Sequence, residues 1–283
     1  MDTVARRLNA ERLVVLGWTR AILLQFAHPL IAAGVHEHSG FRRSPIAAVG
    51  RLRHTIGAML ALTFGDAAAQ HRTLETIRAI HRRVNGSLAE RVGPFPAGTR
   101  YSAEDPALVL WVHLTLIESI VLVYERLVSP LRSDERDAYC AEASEVAIAL
   151  GADPARVPQT WEALRAAIEA GYASGTMVVG PQAKELAEAL LQPRGAWPAL
   201  PVLRINETLA MGLLPAAVRE QYGFRWTPLR ARVMRATVAS LRTGRRVCPD
   251  AIVRWRDARS IDTRGSHARP VAASEDMRGK RAT

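Results

Sequence analysis

Apolar residues recur every three to four positions along most of this chain, and almost nowhere every two. Over 45–64, Val49, Leu52, Ile56, Met59 and Thr63 make one stripe at helical spacing. Over 66–86, Leu74, Ile77, His81 and Val84 make another. Helix punctuation brackets these stripes. Ser44–Pro45 opens the first segment and Gly65 closes it; Asp66 caps the second, which runs to Asn85–Gly86. Asp105–Pro106 opens a strongly apolar helix that Pro130 stops. Ser133, followed by Asp134 and Glu135, opens another that ends at Gly151, and Thr227–Pro228 begins a late one. No stretch combines period-two alternation with hairpin turns. The expected fold class is all-α, a multi-helix bundle. Residues 86–104 and 192–201 read as loops. From 259 onward the stripe stops, so the expected organisation is one all-helical domain over 1–258 and a basic, disordered tail over 259–283.

Composition narrows the class. The chain has 283 residues, 48% hydrophobic and 23% charged, which suits a folded protein with a sizeable core. Cys140 and Cys248 are the two cysteines. Without a CxxC pair, a zinc ribbon, a thioredoxin-type site and covalent CxxCH haem attachment are all excluded. The net charge of +11 is uneven: 242–283 holds eleven basic groups against five acids, leaving +5 on the first 241 residues. All but two of the 38 basic groups are arginine, a skew that looks like genomic base bias. Such an end could touch nucleic acid or anionic lipid, though a solvated tail is the simpler reading. Asn9, Glu11 and Arg12 stand where a signal peptide would be apolar, so a cytoplasmic location is expected, with peripheral membrane association left open. Residues 106–124 are long enough to span a bilayer, and Glu118 at mid-membrane would cost roughly 3 kcal/mol. Helices of similar type surround this run, which reads instead as the central helix of a bundle.

Few residues offer chemistry. His81 lies on the core-facing stripe of its helix, where a buried imidazole needs a partner for each ring nitrogen. A backbone carbonyl serves as well as a metal, and spacing alone favours the satisfied core histidine. Arg51, His54, Thr55 and Ala58 share a second face of the 45–64 helix, with Gly50 and Gly57 near them. Small residues allow a flat group to approach, but spacing alone favours solvated Arg51 and His54 side chains. His36, Glu37 and His38 are consecutive and point in different directions on a helix. His28 precedes Pro29 and marks a helix end. His113 and Glu118 read as a buried polar pair engaging other helices. There is no HExxH, GxGxxG, P-loop or GxSxG motif.

Read in order, the segments VHEHSGF (35–41), GRLRHT (50–55), LTFGD (62–66), IHRRVNG (80–86), YSAEDPALVLWVH (101–113) and LGADP (150–154) resemble the haem-dependent oxygenases of the latex clearing protein (rubber oxygenase) and MpaB family. ETLAMGLLP and REQYGF extend the resemblance more loosely to Phe224. It implies an all-α fold with a globin-like core and non-covalent haem b. It implies His81 as proximal iron ligand in an HxxVxG element, and Arg51 and Thr55 as distal polar residues in an RxxxT element, with Arg51 also a candidate for holding the cofactor. His54 stands where the rubber oxygenases have a lysine and becomes a candidate distal ligand. Glu37 becomes a candidate base. The implied reaction is cleavage of a carbon–carbon double bond by dioxygen in a small, apolar, isoprenoid-like or lipid substrate, with nucleic acid not a partner. The alternatives are a haem sensor or carrier without turnover and a helical nucleic-acid-binding regulator.

Overall fold

The computed structural model describes residues 3–40, 45–193, 200–256 and 258. The Ser44 cap and the 259–283 tail lie outside them. The chain is all-α. Its helices are α1 (Val4–Asn9), α2 (Leu16–Phe26), α3 (Pro29–His38), α4 (Pro45–Phe64), α5 (Ala67–His81), α6 (Pro106–Leu127) and α7 (Ser133–Ala149). Then come α8 (Trp161–Ala173), α9 (Pro181–Leu191), α10 (Leu200–Leu213), α11 (Ala216–Gln221), α12 (Pro228–Val247) and α13 (Asp250–Val253). Caps fall where short polar side chains precede the stripes. Asp66 accepts from the Ala69 N–H, Asp105 from those of Ala107 and Leu108, and Thr227 from that of Arg230. His28 caps α3 with its own ring, accepting from the Leu30 N–H at 3.3 Å.

The central element is α6. Seventy-eight per cent of its apolar window is buried inside the protein, as expected of a bundle core rather than a lipid-facing span. Helix α2 runs antiparallel along it. The Trp111 indole donates to the Leu24 carbonyl, and eight residues later Ser119 lies against Gly17. A Cβ on Gly17 would sit 2.6 Å from the Ser119 carbonyl oxygen, so glycine permits this crossing. Helices α8, α10 and α12 also pack on the α2–α6 pair or its neighbours.

One buried network ties the elements together. Arg20 on α2 donates to the Leu213 carbonyl (2.8 Å), the Ser119 hydroxyl (2.7 Å) and the Glu118 carboxylate (2.9 Å). Arg165 on α8 donates to the other Glu118 oxygen. Glu118 thus joins α6 to α2 and α8, and Arg20 carries the network on to α10.

Two expectations differ in detail. The 66–86 helix ends at His81, and Val84 falls beyond it. The loop that follows contains a two-stranded antiparallel sheet, β1 (Asn85–Ser87) and β2 (Arg100–Ser102). Three-residue strands are too short to display alternation, and the pairing is anchored by packing on α3 instead.

Candidate functional site

Helices α4 and α5 meet at Gly65–Asp66 and return on each other. Arg51 and His81 stand about equally far from that corner, about 20 Å at 1.5 Å per residue, so both belong to the open end of the hairpin. The closed end is anchored on α1, where Arg6 donates to the Thr63 carbonyl and Asn9 to the Thr63 hydroxyl.

The apolar stripe of α4 changes character along its length. Ile56 and Met59 pack against the main core, whereas Val49 and Leu52, on the same stripe, are 51% and 46% exposed. Ile80, beside His81, is 54% exposed. A stripe that is covered at one end and bare at the other leaves an uncovered apolar wall. Gly50 and Gly57 add open space, with nothing within 4 Å of where a Cβ would stand.

Two polar groups sit in that region with unusual surroundings. Arg51 is exposed by area, yet burial by the surrounding protein holds its guanidinium below the ordinary arginine pKa. His81 is half-buried, and burial lowers its pKa against a smaller opposing influence of Glu104. The ring is therefore held neutral near pH 7, the form that can ligate a metal. It makes no hydrogen bond among the described residues.

The other candidates fall as follows. His54 and Thr55 are exposed on α4, and the Thr55 hydroxyl donates to the Arg51 carbonyl at 2.9 Å, which leaves its oxygen to act as an acceptor. Glu37, near the end of α3, accepts from the Tyr101 hydroxyl at 2.5 Å. The ring Nε2 of the adjacent His38 lies 3.1 Å from the Asn85 carbonyl oxygen. Gly34 packs on Val84, three residues after His81. Thus α3 and the strand pair bring Glu37 next to the segment that follows His81. His36 turns away to Glu185 at 2.9 Å.

Sequence reasoning missed Tyr101 and Glu104. Burial and then the Glu37 contact raise the Tyr101 pKa, so it stays a proton donor. Both residues stand in the YSAED segment, whose match to the family pattern was the available signal.

Of the two buried polar residues expected to engage other helices, Glu118 does so and His113 does not. Glu118 is engaged by two arginines, whereas the buried His113 Nε2 has no hydrogen-bond partner among the described residues. Burial lowers the pKa of both His113 and His28 to about 4; for His28, Asp105 opposes the shift. Below pH 6.5 the unfolded chain takes up protons that the folded chain refuses. Stability should therefore fall as pH drops from 6.5 to about 4, by up to about 3 kcal/mol per ring. Urea titrations across this range test it, and His113→Leu should flatten the curve. An unchanged slope in that variant would contradict the assignment.

Among the described residues no three His, Cys, Asp or Glu side chains converge as a metal site. The unpartnered neutral imidazole and the exposed aliphatic side chains of the hairpin would suit a flat apolar cofactor that carries its own metal.

The sequence model of a family described as ER-bound oxygenase mpaB/B'/Rubber oxygenase, catalytic domain, matches residues 5–243. No curated protein and no solved structure matches the chain.

Proposed function

From the premise that this chain belongs to the mpaB/rubber oxygenase catalytic-domain family, and is therefore an oxygenase, we propose that it uses haem b and dioxygen to cleave a carbon–carbon double bond in a small unsaturated lipid. The observation that carries the haem reading is His81, a half-buried neutral imidazole without a hydrogen-bond partner among the described residues, on a hairpin that also exposes Val49, Leu52 and Ile80. Haem, when bound, supplies the redox centre at which dioxygen is activated.

The chain's own residues do the rest. His81 would hold the cofactor through one ring nitrogen, which burial keeps unprotonated. Val49, Leu52 and Ile80 would give it apolar contact and keep water away. Arg51 stays charged even with a lowered pKa, and its N–H groups stabilise negative charge that develops on oxygen. Thr55 fixes the Arg51 turn of the helix. His54, exposed on the same helix, would be a second candidate to hold the iron. Glu37 takes a proton from the carbon beside the double bond, and Tyr101 orients its carboxylate. The apolar wall that receives the cofactor continues as a surface for an apolar substrate.

Visible absorption of the purified protein, oxidised and reduced, is the first test: a Soret band supports the reading and a colourless protein from iron-replete cells overturns it. Oxygen uptake with an unsaturated lipid then separates an oxygenase from a haem carrier. Arg51→Ala should keep the pigment and slow oxygen uptake about a hundredfold. Unchanged turnover would reduce Arg51 to a surface charge.

A further inference from the structure

Helix α12 carries two features that the oxygenase reading does not use. It has six arginines and no acidic residue. It also has no fully buried residue, although it packs on α6 and α10. Its inner face is settled by contact: Met234, Val238 and Leu241 pack against the cluster of Val123, Leu127, Leu209 and Leu213. The opposite face is therefore the outer one. Leu229, Val233, Ala236, Ser240 and Val247 follow one another at helical spacings on that face. Leu229 is 69% exposed, Val233 46% and Val247 74%. Arg232, Arg235 and Arg246, all exposed, flank this stripe on one side. They form no ion pair among the described residues, unlike Arg245, which is clamped by Glu11.

We propose that the outer face of α12 docks onto an anionic lipid surface. The charge complementarity is one-sided: three free guanidinium groups meet lipid phosphates and carboxylates, and no carboxylate on the helix repels them. The aliphatic stripe decides between polyanions. A nucleic-acid footprint places arginines where the phosphates run and has no use for leucine and valine at its centre. A membrane interface takes exactly such a stripe into the acyl boundary while the arginines stay at headgroup level. Docked this way, α12 lies in the plane of the surface. The arrangement keeps the protein at the place where apolar substrates dissolve.

Sedimentation with phosphatidylcholine vesicles, with and without phosphatidylserine, tests the proposal on the full chain. Binding should require phosphatidylserine and weaken with added salt. Replacing all three arginines (R232Q, R235Q and R246Q together) should weaken it about fivefold per residue and about a hundredfold in all. Val233→Asp should abolish it, with circular dichroism unchanged in both variants because all four side chains face outward. Absence of binding by the parent protein, or binding that ignores the α12 variants, overturns the proposal. Duplex DNA binding that responds to the arginines but not to Val233→Asp assigns the face to nucleic acid instead. A concentration-dependent dimer lost on Val233→Asp assigns it to a second copy of the chain. The haem spectrum is unaffected by any of these outcomes, so this surface and the oxygenase reading stand or fall separately.

Discussion

A His81→Ala variant will purify without a Soret band while keeping its helical circular dichroism. His81 is the last residue of α5, half-buried, and makes no hydrogen bond among the described residues, so its removal leaves no protein group unsatisfied. The fold therefore loses little. With His81 as the proposed haem ligand, the expected drop in haem affinity exceeds about a hundredfold, the upper range for losing even an outer-shell partner. His81→Gly offers a control, because free imidazole added to it should restore pigment by filling the vacated volume. A variant that retains full pigment and an unchanged spectrum moves the iron ligand elsewhere, and His54→Ala becomes the next substitution to measure.

Arg20→Leu will destabilise the fold by about 3–5 kcal/mol, the range for breaking a buried ion pair from one side. Arg20 and Glu118 have side chains 3% and 1% exposed. Loss of Arg20 leaves the Glu118 carboxylate with Arg165 alone, leaves the Ser119 hydroxyl only its bond to the Thr115 carbonyl, and removes the donor to the Leu213 carbonyl. Set against a usual total of about 5–15 kcal/mol, the change endangers folding itself. Urea unfolding of the purified variant measures it. The double variant R20M/E118L should recover much of the loss, since it removes the buried charge together with its partner. If the single variant lies within about 1 kcal/mol of the parent, the network contributes little beyond packing.

Local chemistry in the chain was readable where neighbours in sequence do the work. Asp66, Asp105 and Thr227 cap the helices they precede because a cap needs only its own next turn. Ser133 shows the margin of such readings: it is the first residue of α7, and the Glu135 carboxylate closes that end by accepting from the Arg132 N–H. The strand pair at 85–87 and 100–102 was not readable, since its register depends on α3 lying beneath it. Arg20 attracted no notice in an otherwise apolar helix, because its partners Glu118, Ser119 and Leu213 are about a hundred residues or more away in the chain.

The amino-acid order alone determined that the protein is helical and that α6 is its apolar centre; the stripe that carries His81 read as core-facing, yet α5 has no fully buried residue. These readings follow from periodicity and caps, which act over one or two turns. Only the tertiary structure decided that the α4 stripe is covered at Ile56 and Met59 and bare at Val49 and Leu52, because identical spacing describes both halves until a neighbouring helix is present or missing. The same holds for Glu118, whose partners come from α2 and α8, and for α12, whose apolar residues divide between an inner and an outer face. Burial is a property of what lies opposite a residue, and what lies opposite is set by chain segments far away in sequence.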